Sequence, residues 1–299
     1  MGEEKSKNAN EYGIGKPVDE KIVLEGMKSI ENEQTSEAEQ SQESVTKQQD
    51  ISKKLLEALR QSGLDSKTYV SDVRASEDKE RQAKAYSHSD IKVSKVSPFF
   101  YQGSIGATRV PPFDYQWSWE WARNSPDISK SSNRTTGEMR FNIWEDVNNS
   151  STGLARTAIG IFFRPPTVNG HLLVSASPAF RASWGTWCAW ASAHTDGWIG
   201  LFIGSYNASD NSYAGTIIDQ KTELFSDDSW WSGVGRQNLS NSGFPLGNMI
   251  PVDNAHWYAL WVWSGGRIDA DGWGGTFSGS GANSNLVTNI PSMSWTYFG

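Results

Sequence analysis

The chain has 299 residues and a net charge of −7, from 27 basic and 34 acidic residues. That acidic balance argues against a nucleic-acid partner, since binding a polyanion rests on a basic surface. A single cysteine, Cys188, excludes an intrachain disulfide framework and any multi-cysteine metal site, and a hydrophobic content of 37% is low enough that part of the chain is expected to stay unpacked.

A composition break near residue 96 divides the chain into an arm, 1–96, and a Trp-rich domain, 97–299. The arm carries 35 charged residues and no Trp or Phe, too little apolar surface to offset chain entropy over its whole length. It is expected to be partly disordered and partly α-helical. Ile22, Val23, Met27 and Ile30 form one short amphipathic stripe. Residues 31–50 are polar and of low complexity and read as a solvated linker. The clearest helix follows at 50–62, with Ile51, Leu55 and Leu59 on one face, Leu56 beside them and Asp50 as N-cap. Gly63 sits where a left-handed ending belongs, with Leu64 able to pack back on Leu59. A second, more charged helix is expected from about Asp72 to Tyr86. An isolated helix of about 13 residues is marginal in water, so the segment at 50–62 is expected to dock on a protein partner or on a second copy.

From Ile91 onward the period changes to alternation. IKVSKV, MRFNIWEDV, RTAIGIFF, HLLVSAS, GWIGLFIG, GTIID, HWYALWVW and NLVTNI read as strands. Asn169-Gly170, Asp196-Gly197, Ser264-Gly265-Gly266 and Asp271-Gly272 read as the turns between them. No helical pattern intervenes, which predicts an antiparallel β-sandwich or jelly roll behind the arm. The sequence has no apolar run long enough to span a membrane and no apolar signal segment in its first 20 residues. The expected location is cytoplasmic, or outside the cell by a leaderless route.

Chemistry is sparse. The four histidines stand apart, no zinc spacing exists, and neither a nucleophile elbow nor a phosphate-cradling loop is present. No metal and no cofactor is expected. Glu120, Glu138, Glu145 and Asp146 are the acids that a glycoside hydrolase would need to pair, and the simpler reading is that they are ordinary strand charges.

Tryptophan is the informative residue, with all 15 copies after residue 96. Trp117, Trp119 and Trp121 share one face of a strand, either as an inward core stripe, the preferred reading, or as an aromatic ladder. Trp257, Trp261 and Trp263 belong to a central strand and to the core. Trp184, Trp187 and Trp190 recur every third residue, which a flat strand would not align, so a bulge or loop is expected there. Trp230, Trp231 and Trp273 lie in polar, acidic, Gly-containing stretches that read as loops. With Asp227 and Asp228 they are the candidate ligand-binding residues. The domain also holds nine Arg against two Lys, a mixture suited to glycans or to a lipid headgroup interface. A Trp-rich β-sandwich is similar in general build to carbohydrate-binding modules and to lipid-binding toxin folds. The expected function is non-enzymatic recognition of a glycan or cell-surface ligand through loop aromatics, with the arm as tether, delivery or assembly segment. The alternatives are a membrane-active, toxin-like β-sandwich and a structural subunit of a larger particle.

Overall fold

A computed structural model of the chain describes residues 18–61, 68, 71–73, 75–76, 105–147, 149–165, 169–273 and 278–298. Among the described residues a long helix, α1 (Glu20–Gln61), and helical residues at 68, 71–73 and 75–76 precede twelve strands: β1 (Ile105–Arg109), β2 (Tyr115–Arg123), β3 (Asp127–Asn133), β4 (Glu138–Val147), β5 (Asn149–Phe163), β6 (Asn169–Ala176), β7 (Ala179–Asn207), β8 (Tyr213–Asn241), β9 (Leu246–Asp253), β10 (His256–Trp273), β11 (Gly279–Asn289) and β12 (Met293–Phe298). Every strand pairing is antiparallel. One sheet has the order β1-β12-β6-β9, and the other the order β2-β5-β10-β7-β11-β4-β3 with β8 along β7.

The hairpin of β7 and β8 is the spine of the larger sheet. Residues 192–207 of β7 pair with β10, whereas residues 179–189 pair with β11. Between them the β7–β8 register slips at Ala189/Ser192, and Trp190 takes a positive φ of 56°. This is the irregularity that the three-residue spacing of Trp184, Trp187 and Trp190 foreshadows. It lets the sheet fold over itself, so that Phe141 and Ile143 of β4 share one core with Ile159 and Ile161 of β5 and Val262 of β10. The smaller sheet adds Leu172, Val174, Ile250 and Trp295 to the same core. The result is the antiparallel β-sandwich that the alternation predicts.

Two of the expected turns, Asp196-Gly197 and Asp271-Gly272, lie within strands β7 and β10, as does Ser264-Gly265-Gly266. Glycine serves close packing in these long strands. A Cβ at Gly160 would come within 2.6 Å of the Trp261 ring, and one at Gly200 within 2.3 Å of the Trp263 ring. Each indole rests against bare backbone on a neighbouring strand.

The helix departs most from expectation. It runs unbroken through residues 31–50, where a linker is expected, and Asp50 lies in its interior instead of capping a new start. Glu and Gln dominate that stretch and have good helix propensity whether or not they face a core. Its beginning is docked on the domain. Val23, Met27 and Ile30 are fully or almost fully buried with Tyr115, Trp117, Phe202, Tyr206, Trp257 and Trp261, on the outer face of β2, β5, β10 and β7. The Tyr206 hydroxyl donates to the Val23 carbonyl at 2.7 Å, and that of Tyr115 to the Val18 carbonyl at 3.1 Å. The Trp117 indole N–H donates to the Glu31 carboxylate at 3.2 Å. The side chains of Ile51, Leu55, Leu56 and Leu59 lie outside the described residues, as do Gly63, Leu64, the strand expected at 91–96 and most of the helix expected at 72–86.

Candidate functional site

The strand register places side chains in rows across the outer face that α1 covers in part. Paired antiparallel residues point the same way, and successive rows are about 7 Å apart. Nearest the helix, one row reads Trp119, Arg156, Gly265, Trp198 and Glu223 from β2 to β8. The next reads Trp121, Leu154, Arg267, Asp196 and Ser226. Then come Arg123, Thr152, Asp269, His194 and Asp228, and finally Ser150, Asp271, Ser192 and Trp230. The face therefore passes from aromatic to strongly polar as it leaves the helix.

At that transition lies a groove of about 450 Å³. Gln34 and Ala38 of α1 form one side, with Trp198, Asp196, Arg267 and Leu154 from the strands. Lys221 and Glu223 of β8 complete it. Its polar groups are held in place by their neighbours. The Lys221 ammonium stands over the Trp198 ring at 4.0 Å, and the Arg156 guanidinium over Trp263 at 3.9 Å. Arg267 pairs with Asp269 at 2.6 Å, whose other oxygen accepts from the Thr152 hydroxyl at 2.8 Å.

Beside the groove His194 bridges two carboxylates, with Nε2 on Asp196 at 2.6 Å and Nδ1 on Asp228 at 2.7 Å. Burial by itself lowers the imidazole's pKa. The hydrogen bonds and charges of Asp196 and Asp228 outweigh it and lift the pKa to about 9. At neutral pH the ring is an imidazolium that donates both N–H groups. Burial likewise works to raise the Asp196 pKa, but bonding to His194, with Ser226 and Arg267 close by, holds its carboxyl below the ordinary value. One row further, Ser192 donates to Asp271 at 2.8 Å.

The residues singled out from sequence divide over this surface. Trp230 stands on the same face as the groove and is 51% exposed. Asp228 holds His194 there. Asp227, one residue away, points to the opposite face, where burial raises its carboxyl above the ordinary value. Trp230, Trp231 and Trp273 are not in loops: the first two lie within β8 and the third ends β10. The side chains of Trp231 and Trp273 lie outside the described residues.

The preferred core reading of Trp117, Trp119 and Trp121 holds for Trp117, which is buried in the core that α1 closes, with Trp119 packed against it. All three lie on the face that α1 covers in part, Trp117 buried and Trp119 and Trp121 half-buried. Sequence reasoning missed Gln34, Asp196, Trp198, Lys221, Glu223 and Arg267. One signal was available for part of it: alternate residues of β10 run Trp261, Trp263, Gly265, Arg267, Asp269, Asp271, an apolar face turning polar midway.

The acids considered for hydrolysis do not converge. Glu138 pairs with Arg140, Glu120 with Lys130 at 2.5 Å, and Glu145 is buried, accepting from Ser151 at 2.9 Å. No group of acids, histidines and cysteine suited to a metal occurs among the described residues. None of their helices is long and apolar enough to cross a membrane. Among the described residues the exposed large apolar side chains besides Trp230 are Val110, just after β1, Ile217 and Leu239, far apart along β8, and Met249 on β9.

No family model and no curated protein matches the sequence. Among solved structures, the enzymatically active domain of tailspike protein 4 from bacteriophage CBA120 overlaps 59% of this chain and 19% of its own, at 5% identity and a TM-score of 0.20. TmCBM61 in complex with β-1,4-galactotriose overlaps 55% of this chain and 88% of its own, at 10% identity and a TM-score of 0.17. A family 11 carbohydrate-binding module from Clostridium thermocellum overlaps 58% and 88%, at 11% identity and a TM-score of 0.15. Likenesses this slight carry no argument about function.

Proposed function

We propose that the chain is a non-enzymatic recognition protein that binds a glycan in the groove between α1 and the outer face of β5, β10, β7 and β8. One observation carries this reading. An open groove of about 450 Å³ sets Trp198 among Asp196, Glu223, Lys221 and Arg267, so an apolar ring borders side chains that both donate and accept hydrogen bonds. Ligand sites combine apolar walls with a few fixed polar groups in this way. Sugars offer the matching surface, an apolar ring face rimmed by hydroxyls. Lys221 covers one face of Trp198, so the polar groups lead and the indole supplies a wall. Trp230, three rows further along the same face, offers an exposed ring on which a longer glycan can stack. Asp196, Asp228 and Asp269 are each engaged with a cation, which suits holding a ligand better than proton transfer.

The tethering or assembly role expected of the arm falls, in this reading, to the part of α1 beyond Ala38, where Ile51, Leu55, Leu56 and Leu59 lie.

Native electrophoresis of the full chain in gels cast with a soluble β-glucan, a β-galactan, an arabinoxylan, alginate or polygalacturonate tests the reading. Retardation by at least one polymer, reversed by its free oligosaccharides, is the expected result. Unretarded migration in all five gels overturns it.

A further inference from the structure

The groove has one wall that no strand supplies. Val23, Met27, Ile30, Gln34 and Ala38 follow one another at helical spacing and make a single stripe along α1. The first three fill the aromatic face of the sheet. The fourth position breaks the apolar pattern with a glutamine that is only 6% exposed and borders the groove. A primary amide carries two donors and an acceptor with two lone pairs. For docking alone an apolar residue would serve better here. The amide borders the groove, where its donors and acceptor can meet a ligand.

The surrounding charges narrow what that is. Arg267 is paired with Asp269 and Asp196 with the His194 imidazolium, while Lys221 borders the groove together with Glu223. Positive and negative groups alternate and offset one another, so the groove presents no net positive field to an anionic sugar. It presents donors and acceptors side by side, as adjacent hydroxyls require.

Taking the groove as the glycan site, we propose that α1 is part of that site, that Gln34 is a residue through which it grips sugar hydroxyls, and that the groove as a whole favours a neutral glycan over a uronic-acid polymer. The Gln34 amide oxygen accepts from one sugar hydroxyl and its NH₂ donates to the next. The docked segment of the arm is thereby a component of recognition.

The test compares the full-length wild type with Gln34→Met and Gln34→Glu in gels cast with β-glucan, β-galactan, alginate or polygalacturonate, with melting temperatures recorded alongside. The wild type is expected to be retarded by a neutral polymer and not by the acidic ones. Gln34→Met completes the apolar stripe, so its melting temperature should hold or rise while retardation weakens about tenfold. A purely structural glutamine would not separate binding from stability in this way. Gln34→Glu, close in shape but lacking donors, should lose retardation similarly, and it decides the matter should the Met variant fail to fold. Wild-type retardation that both substitutions leave intact overturns the role of Gln34 and leaves the groove reading standing. Stronger retardation by alginate or polygalacturonate overturns the selectivity. Absence of retardation in every gel removes the groove reading and this inference with it.

Discussion

Replacing Met27 by alanine tests whether the arm begins as part of the folded domain. Met27 is 1% exposed and sits between Val23 and Ile30 against the aromatic face that includes Tyr206 and Trp257. Truncating a buried Met to Ala costs about 2–5 kcal/mol, from lost transfer free energy and the cavity left behind. The upper part of that range requires that the helix stay docked over the cavity. If α1 lifts away instead, the loss is capped at the free energy of docking, and Trp117 and Trp257 become wet while the sandwich persists. Urea unfolding followed by far-UV circular dichroism gives the global loss. Hydrogen exchange at residues 22–36 separates the two responses. For a domain of this size a loss of about 2–3 kcal/mol lowers the melting temperature by roughly 4–12 °C. Glu33→Ala, an exposed position on the same helix, should change stability by no more than about 0.5 kcal/mol. Met27→Ala indistinguishable from Glu33→Ala, with amides 22–36 exchanging at unfolded rates in both, would refute the docking.

Trp261→Ala should cost about 3–5 kcal/mol in urea unfolding, because Trp261 is fully buried, stacks 5.8 Å from Tyr115 and rests on Gly160; a loss under about 1 kcal/mol would contradict its placement. Trp230→Ala should leave the melt unchanged within about 0.5 kcal/mol and weaken glycan retardation by about 1–2 kcal/mol, borrowing the scale of base–aromatic stacking; unfolding would make it a packing residue instead. The pKa of His194 is raised on folding from 6.5 to about 9, so its contribution is full below about pH 6.5 and fades as pH climbs through about 9. The shift corresponds to on the order of 3 kcal/mol, discounted to about 1–2 because Asp228 is largely exposed and screened. The stability gap between wild type and His194→Gln should therefore narrow from pH 6 to pH 10, and a constant gap would show that the carboxylate clamp contributes nothing.

The sandwich was legible because alternation in MRFNIWEDV, RTAIGIFF and HWYALWVW follows directly from burial on the two faces of a strand. The length of β7 and β8 was not. Asp-Gly pairs signal hairpins on local chemistry, and only the register shows that a ring from another strand, Phe225 against Gly197, is what demands the glycine. The continuous helix was hidden for a related reason: residues 31–50 lack an apolar stripe, yet the stripe at 23–30 is enough to seat α1 and good helix formers carry it on. Trp230 and Asp228 stood out in the sequence because an indole among acids is unusual anywhere, and the register puts both on the face that carries the groove. The groove itself was out of reach. Gln34, Leu154, Trp198, Glu223 and Arg267 are far apart in sequence, and pairing across four strands and a helix is what brings them together.

The central claim is that a glycan occupies the groove between α1 and β8. A crystal structure of the full chain soaked with the neutral oligosaccharide that reverses its retardation tests this most directly. A sugar bounded by Gln34, Trp198 and Arg267, with hydroxyls on Asp196 and Glu223, is the expected result. A sugar bound on another surface, with that groove filled only by solvent, would contradict it.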